Sequence, residues 1–210
     1  ADSMKAALNE RGTEGSVILG AGFVGIELAE NIRHLGHPVT IVQRAGSILG
    51  QFDPEMVKPL HDRLVTNGVE IRLNSEAASI DETTVTLTEG SVIKAGLVFT
   101  ATGVDPDNEL AQSAGIEIGQ TGGLLVDNQQ RTSDPNIFAA GDAVEKHGEL
   151  TGTQTLIPLA NLANRHGRLI ADVIAGRKTE AHDALGTIIL GAFGLQTAMT
   201  GLSERAAKAA

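Results

Sequence analysis

The glycine spacing of residues 20–25 constrains this chain most. Gly20-Ala21-Gly22-Phe23-Val24-Gly25 stands between a short apolar run and a helical pattern. In G-x-G-x-x-G turns, the first glycine permits a tight turn out of a strand, the second lets backbone N–H groups approach a pyrophosphate, and the third lets the helix pack closely. We predict a dinucleotide phosphate site at Gly20, Gly22, Phe23, Val24 and Gly25; the alternative is a strand-to-helix turn without a ligand.

The residues around this turn predict a βαβ unit. A strand is expected at Ser16–Leu19, a helix at residues 23–35 and a second strand at residues 39–42. Their apolar character is typical of buried parallel strands joined by a crossover helix. One apolar face is expected on the first helix, carrying Val24, Leu28, Ile32 and Leu35. Asp53 is expected to cap a following helix through its side chain, with Met56, Leu60 and Leu64 on the buried face.

The remainder of the chain predicts further strands and one long helix. A short helix is expected at residues 3–11, ahead of the glycine turn, and another short helical stretch before Gly115. A hairpin is expected across Glu89-Gly90, and a helix from about Leu159 to Ala175. The other strands are expected at residues 69–73, 77–80, 97–100, 124–126, 137–140 and 187–201.

Composition excludes several classes of function. The chain has 26 Asp and Glu against 16 Lys and Arg, a formal net charge of -10, and no basic run that would suit nucleic acid or an anionic membrane. No apolar stretch approaches the roughly 20 residues of a membrane helix, and no signal-peptide pattern opens the chain. A cytoplasmic location is therefore expected. Without cysteine, these 210 residues hold neither a disulfide nor a thiolate nucleophile.

Two further groups are candidates for ligand binding. The position that holds an acidic ribose ligand in NAD sites carries Gln43 here, followed by Arg44, which favours NADPH or dual use. Gly141-Asp142 follows an apolar run and would place a carboxylate at the carboxyl edge of a sheet, where sugar or ribityl hydroxyls bind. The alternatives are a solvated Arg44 and an ordinary Gly-Asp turn.

The other polar residues predict no chemistry of their own. Six histidines lack the spacing of a metal site, so none is predicted, and surface or packing roles are expected for them. No serine stands in G-x-S-x-G. Glu145 and His147 are expected in a solvated loop; the alternative is a place near a ligand.

The order of four motifs carries a family resemblance. They are residues 20–25 with Glu27; Ala101-Thr102-Gly103 with Pro106; Ile137-Phe138-Ala139-Ala140-Gly141-Asp142; and Ile157-Pro158-Leu159-Ala160 with Ala163-Asn164-Arg165 and Gly167-Arg168. Together they resemble the FAD-dependent pyridine nucleotide-disulfide oxidoreductases, most of all the branch of NADH oxidase, NADH peroxidase and coenzyme A-disulfide reductase.

This resemblance implies a fold and a domain plan. The fold class is α/β, with a Rossmann-like NAD(P)-binding domain, whose parallel sheet has a β-meander crossover, and part of a second, FAD-binding α/β domain. Residues 1–14 would form a connecting segment, and residues 15–104 would form the NAD(P)H-binding domain. Residues 105–183 would belong to the FAD domain, and residues 184–210 would begin a dimer-interface domain. The family's first G-x-G-x-x-G unit would lie upstream of Ala1, so an internal fragment of a homodimeric enzyme is expected.

The resemblance also implies roles for individual residues. Glu27 matches a glutamate near the nicotinamide and is the catalytic candidate. Thr102 and Gly103 belong to the cofactor-binding set. Asp142, next to Gly141, matches the aspartate that holds the flavin ribityl chain, while Pro158, Leu159 and Ala160 would bring a helix N-terminus to the flavin.

The implied activity is hydride transfer from NAD(P)H to FAD and on to a small-molecule disulfide, peroxide or dioxygen. Two alternatives stay open. One is a free-standing NAD(P)-binding module without chemistry, and the other is a subunit that completes a flavin site with a separate chain.

Overall fold

A four-stranded parallel sheet forms the centre of the first of two units. In the computed structural model, which describes residues 2–209, unit 1 contains residues 2–103, 189–199 and 203–208. Unit 2 contains residues 104–188, 200–202 and 209. Each unit is described by itself below.

The chain enters unit 1 through a helix and then builds the predicted βαβ unit. The sheet runs in the order β3-β2-β1-β7, and its three strand pairs are all parallel. The elements are α1 (Asp2–Arg11), β1 (Ser16–Leu19), α2 (Phe23–His34), β2 (Val39–Gln43), α3 (Pro54–Thr66), β3 (Val69–Leu73) and β7 (Leu97–Thr100). Strand β1 is central, with Leu19 beside Val42 on one neighbour and beside Thr100 on the other. This arrangement confirms the predicted Rossmann-type α/β fold.

The predicted meander between β3 and β7 is also present. Strands β4 (Ala77–Ile80), β5 (Thr84–Leu87) and β6 (Val92–Lys94) form an antiparallel sheet in that order. Val85 and Leu87 of β5 are buried in one apolar cluster with Val17 and Val42 of the parallel sheet. The meander therefore covers a face of that sheet and removes its apolar side chains from water.

Residues from the end of the chain complete unit 1. Strands β10 (Ile188–Ala192) and β11 (Leu195–Met199) pair through a turn at Phe193-Gly194. The Phe193 N–H donates to Glu30 Oε1 at 2.6 Å, and Arg63 Nη1 donates to the Phe193 carbonyl at 3.1 Å. The ring of His34 meets the Phe193 ring edge-on, with 5.4 Å between centroids. The hairpin turn is thus fixed to both α2 and α3.

Asp53 caps a different helix from the one predicted. No side-chain hydrogen bond caps α3 at Asp53. Its carboxylate instead accepts the backbone N–H groups of Glu204, at 2.7 Å, and Arg205, at 3.1 Å, at the start of α6 (Glu204–Ala209). The prediction of a local cap was wrong because the N-terminus of a helix distant in sequence offers the same unpaired donors.

The predicted apolar faces of α2 and α3 are buried in part, since Ile32, Leu60 and Leu64 are buried as expected. Val24 and Leu35 are 59% and 53% exposed, and Met56 is 63% exposed. Helix α2 also buries Gly25, Ile26 and Ala29, and α3 also buries Val57. Small residues mark the buried side of α2 because the helix approaches the sheet closely, and a count of large apolar residues misses them.

Unit 2 is built from short elements around a small apolar cluster. Its elements are α4 (Glu109–Ser113), β8 (Glu145–His147), β9 (Gln154–Leu156) and α5 (Ala160–Ile174), and β8 and β9 pair antiparallel. Ile116, Leu124 and Val144 form the buried cluster. Helix α5 matches the predicted long helix.

Two strands predicted in unit 2 are absent from the described residues. Residues 124–126 and 137–140 make only isolated bridges, such as Arg131 with Phe138 and Leu124 with Val144. The guanidinium of Arg131 also lies 4.7 Å from the centre of the Phe138 ring. An apolar run becomes a strand only when its N–H and C=O groups form a continuous ladder of hydrogen bonds with a neighbouring strand. Within residues 2–209, these two runs form only isolated bridges.

Candidate functional site

The sequence-predicted residues of unit 1 converge on the carboxyl edge of the parallel sheet. Gly20 follows β1 and donates its N–H to the Val42 carbonyl at 2.8 Å, while Ala101 follows β7 and donates to Leu19 at 2.7 Å. Gln43 ends β2. Ligands of open α/β sheets bind outside the carboxyl ends of the strands, so the glycine turn stands where a nucleotide would bind.

Two of the three glycines are required by close backbone packing. A Cβ on Gly20 would overlap the Ala101 carbonyl, and the φ of Gly20 is +109°, which favours glycine. A Cβ on Gly25 would overlap the Gly20 carbonyl oxygen and lie 3.4 Å from Ile18 Cγ2. Gly20 and Gly25 therefore hold the strand, the turn and the helix together.

Gly22 has a different environment, with open space on one side of the turn. A Cβ built on Gly22 meets nothing within 4 Å. Gly22 is the N-cap of α2, which has no side-chain capping bond, and the first N–H groups of a helix have no partner within it. Open space before such N–H groups is suited to a phosphate, so the residues present fit a dinucleotide pyrophosphate.

Gln43 and Arg44 have separate environments although they are adjacent. The Gln43 side chain accepts the Ala21 N–H at 3.2 Å and donates to the Ser47 carbonyl at 3.4 Å, so it ties β2 to the glycine turn. The Arg44 side chain is 84% exposed and lies 3.9 Å from the exposed carboxylate of Glu76. An exposed pair of this kind is worth little, which leaves the guanidinium able to pair with another anion.

The other unit 1 candidates lie nearby and are exposed. Glu27 stands on α2, half a turn beyond Gly25, with its side chain in solvent. Thr102 and Gly103 are exposed in the segment after β7, and the φ of Gly103 is +121°. Among the described residues, neither the Glu27 nor the Thr102 side chain has a hydrogen-bond partner. They flank the turn without forming a preassembled catalytic cluster.

Unit 2 carries the second set of candidates on a turn and on a helix N-terminus. Gly141 has a φ of +97°, and the exposed Asp142 follows it. Helix α5 begins at Ala160 after Pro158 and Leu159, and its N-cap residue Leu159 makes no side-chain capping bond. An exposed carboxylate suits sugar hydroxyls and an uncapped helix N-terminus suits negative charge, so both fit the polar groups of a flavin cofactor.

A buried lysine beneath this turn was missed by sequence reasoning. Lys146 is 4% exposed, and its Nζ donates to the carbonyls of Gly141 at 2.6 Å and Val144 at 2.8 Å. Burial lowers the pKa of Lys146, and the negative charge of Asp142 opposes that shift. Lysine is rarely buried, and no motif here signals it.

Glu145 and His166 also lie inside unit 2. Glu145 was predicted in a solvated loop, which is wrong: it is 3% exposed and accepts the Thr121 N–H at 2.7 Å and hydroxyl at 2.5 Å. His147 is half-exposed and lies 3.0 Å from Asp183.

His166 on α5 is 7% exposed, with no partner for its Nδ1 atom among residues 2–209. Burial, and then the charges of Lys146 and Arg165, lower the pKa of His166.

Replacing His166 with glutamine is expected to make stability less sensitive to acid. In the unfolded chain this histidine takes up a proton near the ordinary histidine pKa of 6.5, whereas in the folded chain its lowered pKa delays protonation to lower pH. The free energy of unfolding should therefore fall as pH drops below that value. Urea unfolding at neutral and mildly acidic pH should show a smaller loss in His166→Gln. His182→Gln, at an exposed histidine, is the control, and equal pH dependence in all three proteins would contradict the assignment.

Among the described residues, no group of three or more His, Asp or Glu side chains is placed to hold a metal ion. In the same part of the chain, no helix combines the length and apolarity needed to cross a membrane.

The fold and the glycine turn together define a dinucleotide-binding α/β protein. The sequence profile of the pyridine nucleotide-disulphide oxidoreductase family matches residues 1–167, and the chain belongs to that family. The predicted family resemblance is therefore confirmed.

Several relatives resemble the chain over nearly all of its length. It is 35% identical over 198 residues to the NAD(P)H sulfur oxidoreductase (CoA-dependent) of Pyrococcus furiosus, covering 92% of this chain and 45% of that one. The crystal structure of reduced Bacillus anthracis CoADR-RHD superposes with a TM-score of 0.95 and 37% identity, over 99% of this chain and 38% of that one.

A third relative is an FAD-dependent pyridine nucleotide-disulphide oxidoreductase from Desulfovibrio vulgaris. It superposes with a TM-score of 0.87 and 30% identity, over 93% of this chain and 51% of that one. The present chain thus spans about half the length of these relatives or less.

Proposed function

We propose that this chain is the nicotinamide-binding part, and a portion of the flavin-binding part, of an FAD-dependent NAD(P)H oxidoreductase. The observation that carries the proposal is the open space at Gly22, in front of the uncapped N-terminus of α2 at the carboxyl edge of the sheet. Family membership and relatives named for NAD(P)H and for FAD support it. The proposed domains are residues 15–104 for NAD(P)H, 105–183 for FAD and 184–210 for a dimer interface.

The residues of the chain have distinct proposed tasks. Backbone N–H groups at Gly22, Phe23 and Val24 bind the nicotinamide dinucleotide pyrophosphate, and Glu27 helps to position the nicotinamide ring. Asp142 binds ribityl hydroxyls, and the N-terminus of α5 stabilises negative charge on the isoalloxazine ring. The bound flavin supplies hydride acceptance, while the protein orients the reacting groups.

The proposed electron acceptor is a small molecule from the class of disulfides, peroxides or dioxygen. The name of the Pyrococcus furiosus relative, a sulfur oxidoreductase, favours a sulfur-containing acceptor. A homodimer in the cytoplasm is part of the same proposal. The roles of the site residues in both units are part of this proposal as well.

The proposal is tested by purifying the complete gene product that contains these 210 residues. Its intact mass, its visible absorption and its reduction by NADH and NADPH are measured together. A mass above that of 210 residues, flavin absorption and bleaching by either nucleotide would support the oxidoreductase. A mass equal to that of 210 residues, with nucleotide binding and no flavin, would support the free-standing nucleotide-binding module instead.

Replacing Arg44 with alanine is expected to weaken NADPH binding about three- to tenfold while changing NADH binding little. The exposed guanidinium can pair with the 2′-phosphate that only NADPH carries, and exposure limits the gain. Titration of nucleotide fluorescence measures both affinities. Arg11→Ala is the matched control because Arg11 stands near Gly96, at the opposite edge of the sheet. Equal losses for the two nucleotides would remove Arg44 as a selectivity residue.

A further inference from the structure

Lys146 is an unusual residue to find beneath a ligand-binding turn. Burying an ammonium group is strongly unfavourable unless its charge is compensated. Here the described chain gives Lys146 two carbonyl acceptors, Gly141 and Val144, and no direct hydrogen bond to a carboxylate. A methionine would occupy a similar volume without this cost, so packing alone does not account for the lysine.

The two carbonyls mark the ends of the turn that carries Asp142. Gly141 precedes Asp142, and Val144 ends the turn. The Val144 N–H donates to the Gly141 carbonyl across a distance of 3.4 Å. That backbone bond is long, so the turn is weakly closed by its own groups. The Lys146 ammonium, at 2.6 and 2.8 Å from the same two residues, closes it from the buried side.

The charge of Lys146 also reaches both elements of the candidate flavin site in unit 2. It interacts with the Asp142 carboxylate, and it contributes to lowering the pKa of His166 on α5. Helix α5 is the element whose N-terminus fits the flavin. One buried positive charge therefore acts on the turn and on the helix together.

We propose that Lys146 is a positioning residue for the flavin: it holds the turn of residues 141–144 so that Asp142 presents its carboxylate to the ribityl hydroxyls, and its charge favours the reduced, anionic flavin. This inference rests on the proposed function. A purely structural lysine would stabilise the fold. Removal of Lys146 as a positioning residue should instead preserve or improve stability while impairing cofactor binding.

The first experiment uses the complete gene product after its cofactor has been removed. Lys146→Met is expected to raise hydrogen exchange in residues 141–146 while the thermal midpoint stays the same or rises. Lys146→Gln, which keeps hydrogen-bond donors without the charge, is expected to give an intermediate exchange rate. Lys178→Met, at an exposed lysine of unit 2, is the control. Unchanged exchange in Lys146→Met would overturn the bracing of the turn.

The second experiment is a double-mutant cycle on FAD affinity and midpoint potential in the complete gene product. Lys146→Met and Asp142→Asn should each weaken FAD at least about tenfold, and the double variant little more, because residues that act as a unit are not additive. Lys146→Met should also shift the potential to a more negative value. Should Lys146→Met fail to fold, Lys146→Gln serves in its place.

The outcomes separate the inference from the proposed function. Additive losses, or an unchanged potential, would overturn the role of Lys146 and leave the function of Asp142 intact. An Asp142→Asn variant that binds FAD as tightly as the parent would instead overturn the proposed function of the turn itself.

Discussion

Gly25→Ala is expected to destabilise unit 1 by about 1–3 kcal/mol or more, the usual cost of forcing extra atoms into a packed interior. The added methyl group would overlap the Gly20 carbonyl oxygen, which belongs to the backbone and cannot move aside as a side chain does. Helix α2 would have to shift away from β1. Such a loss is a large fraction of the roughly 5–15 kcal/mol that stabilises a domain.

Gly167→Ala is a control with the opposite expected sign. Gly167 is also helical, within α5, and a Cβ there meets nothing within 4 Å. Alanine in an open helical position stabilises by about 0.5–1 kcal/mol. Urea unfolding followed by far-ultraviolet circular dichroism measures both variants, since the chain has no Trp or Tyr to report by fluorescence. Equal effects at the two glycines would contradict the packing argument for Gly25.

Gly22→Ala is expected to weaken NAD(P)H binding by at least tenfold, about 1.4 kcal/mol, without loss of stability. Gly22 has an extended backbone, with φ of -79°, that alanine adopts freely. Its added methyl group would stand in the open space before the α2 N–H groups, where the pyrophosphate is proposed to bind. The folded protein loses nothing, while the ligand loses its close approach to the backbone.

The measurement is the fluorescence of bound NADH or NADPH, alongside urea unfolding of the same samples. Gly50→Ala is the matched control because a Cβ on Gly50 also meets nothing within 4 Å and Gly50 is exposed. If Gly22→Ala bound both nucleotides as tightly as Gly50→Ala, the pyrophosphate site would have to be sought elsewhere in the chain.

The glycine turn and its surroundings followed from sequence because each is a local property. The close approach of helix α2 at Gly25 involves Gly20 and Ile18, which are near in sequence, and the turn at Glu89-Gly90 located the meander. Parallel pairing followed from the βαβ connection, which leaves few topologies.

The failures share a different origin, since each depends on residues distant in sequence. Asp53 caps α6, about 150 residues away, and nothing local to Asp53 signals it. Glu145 is buried because Thr121 supplies two donors across unit 2. The run ending at Ala140 has strand character but receives only an isolated bridge among the described residues.

The site was predicted in part for the same reason. The sequence predicted that Gln43 lies at the carboxyl edge of the parallel sheet. The hydrogen bond that its side chain accepts from the Ala21 N–H depends on how the glycine turn folds back on β2. Lys146 carries no signature at all, because a lysine four positions past a Gly-Asp pair is ordinarily exposed. Its burial is set by the path of the whole turn.

The fastening of Phe193 to α2 and α3 determines where this protein can be cut. A shortened version ending at Gly103 would keep every strand of the parallel sheet, yet Glu30 and Arg63 would lose their backbone partner and Asp53 its helix. Anyone isolating the nucleotide-binding unit would do better to graft residues 189–208 back through a flexible linker. The unit is discontinuous in the gene although it is continuous in space.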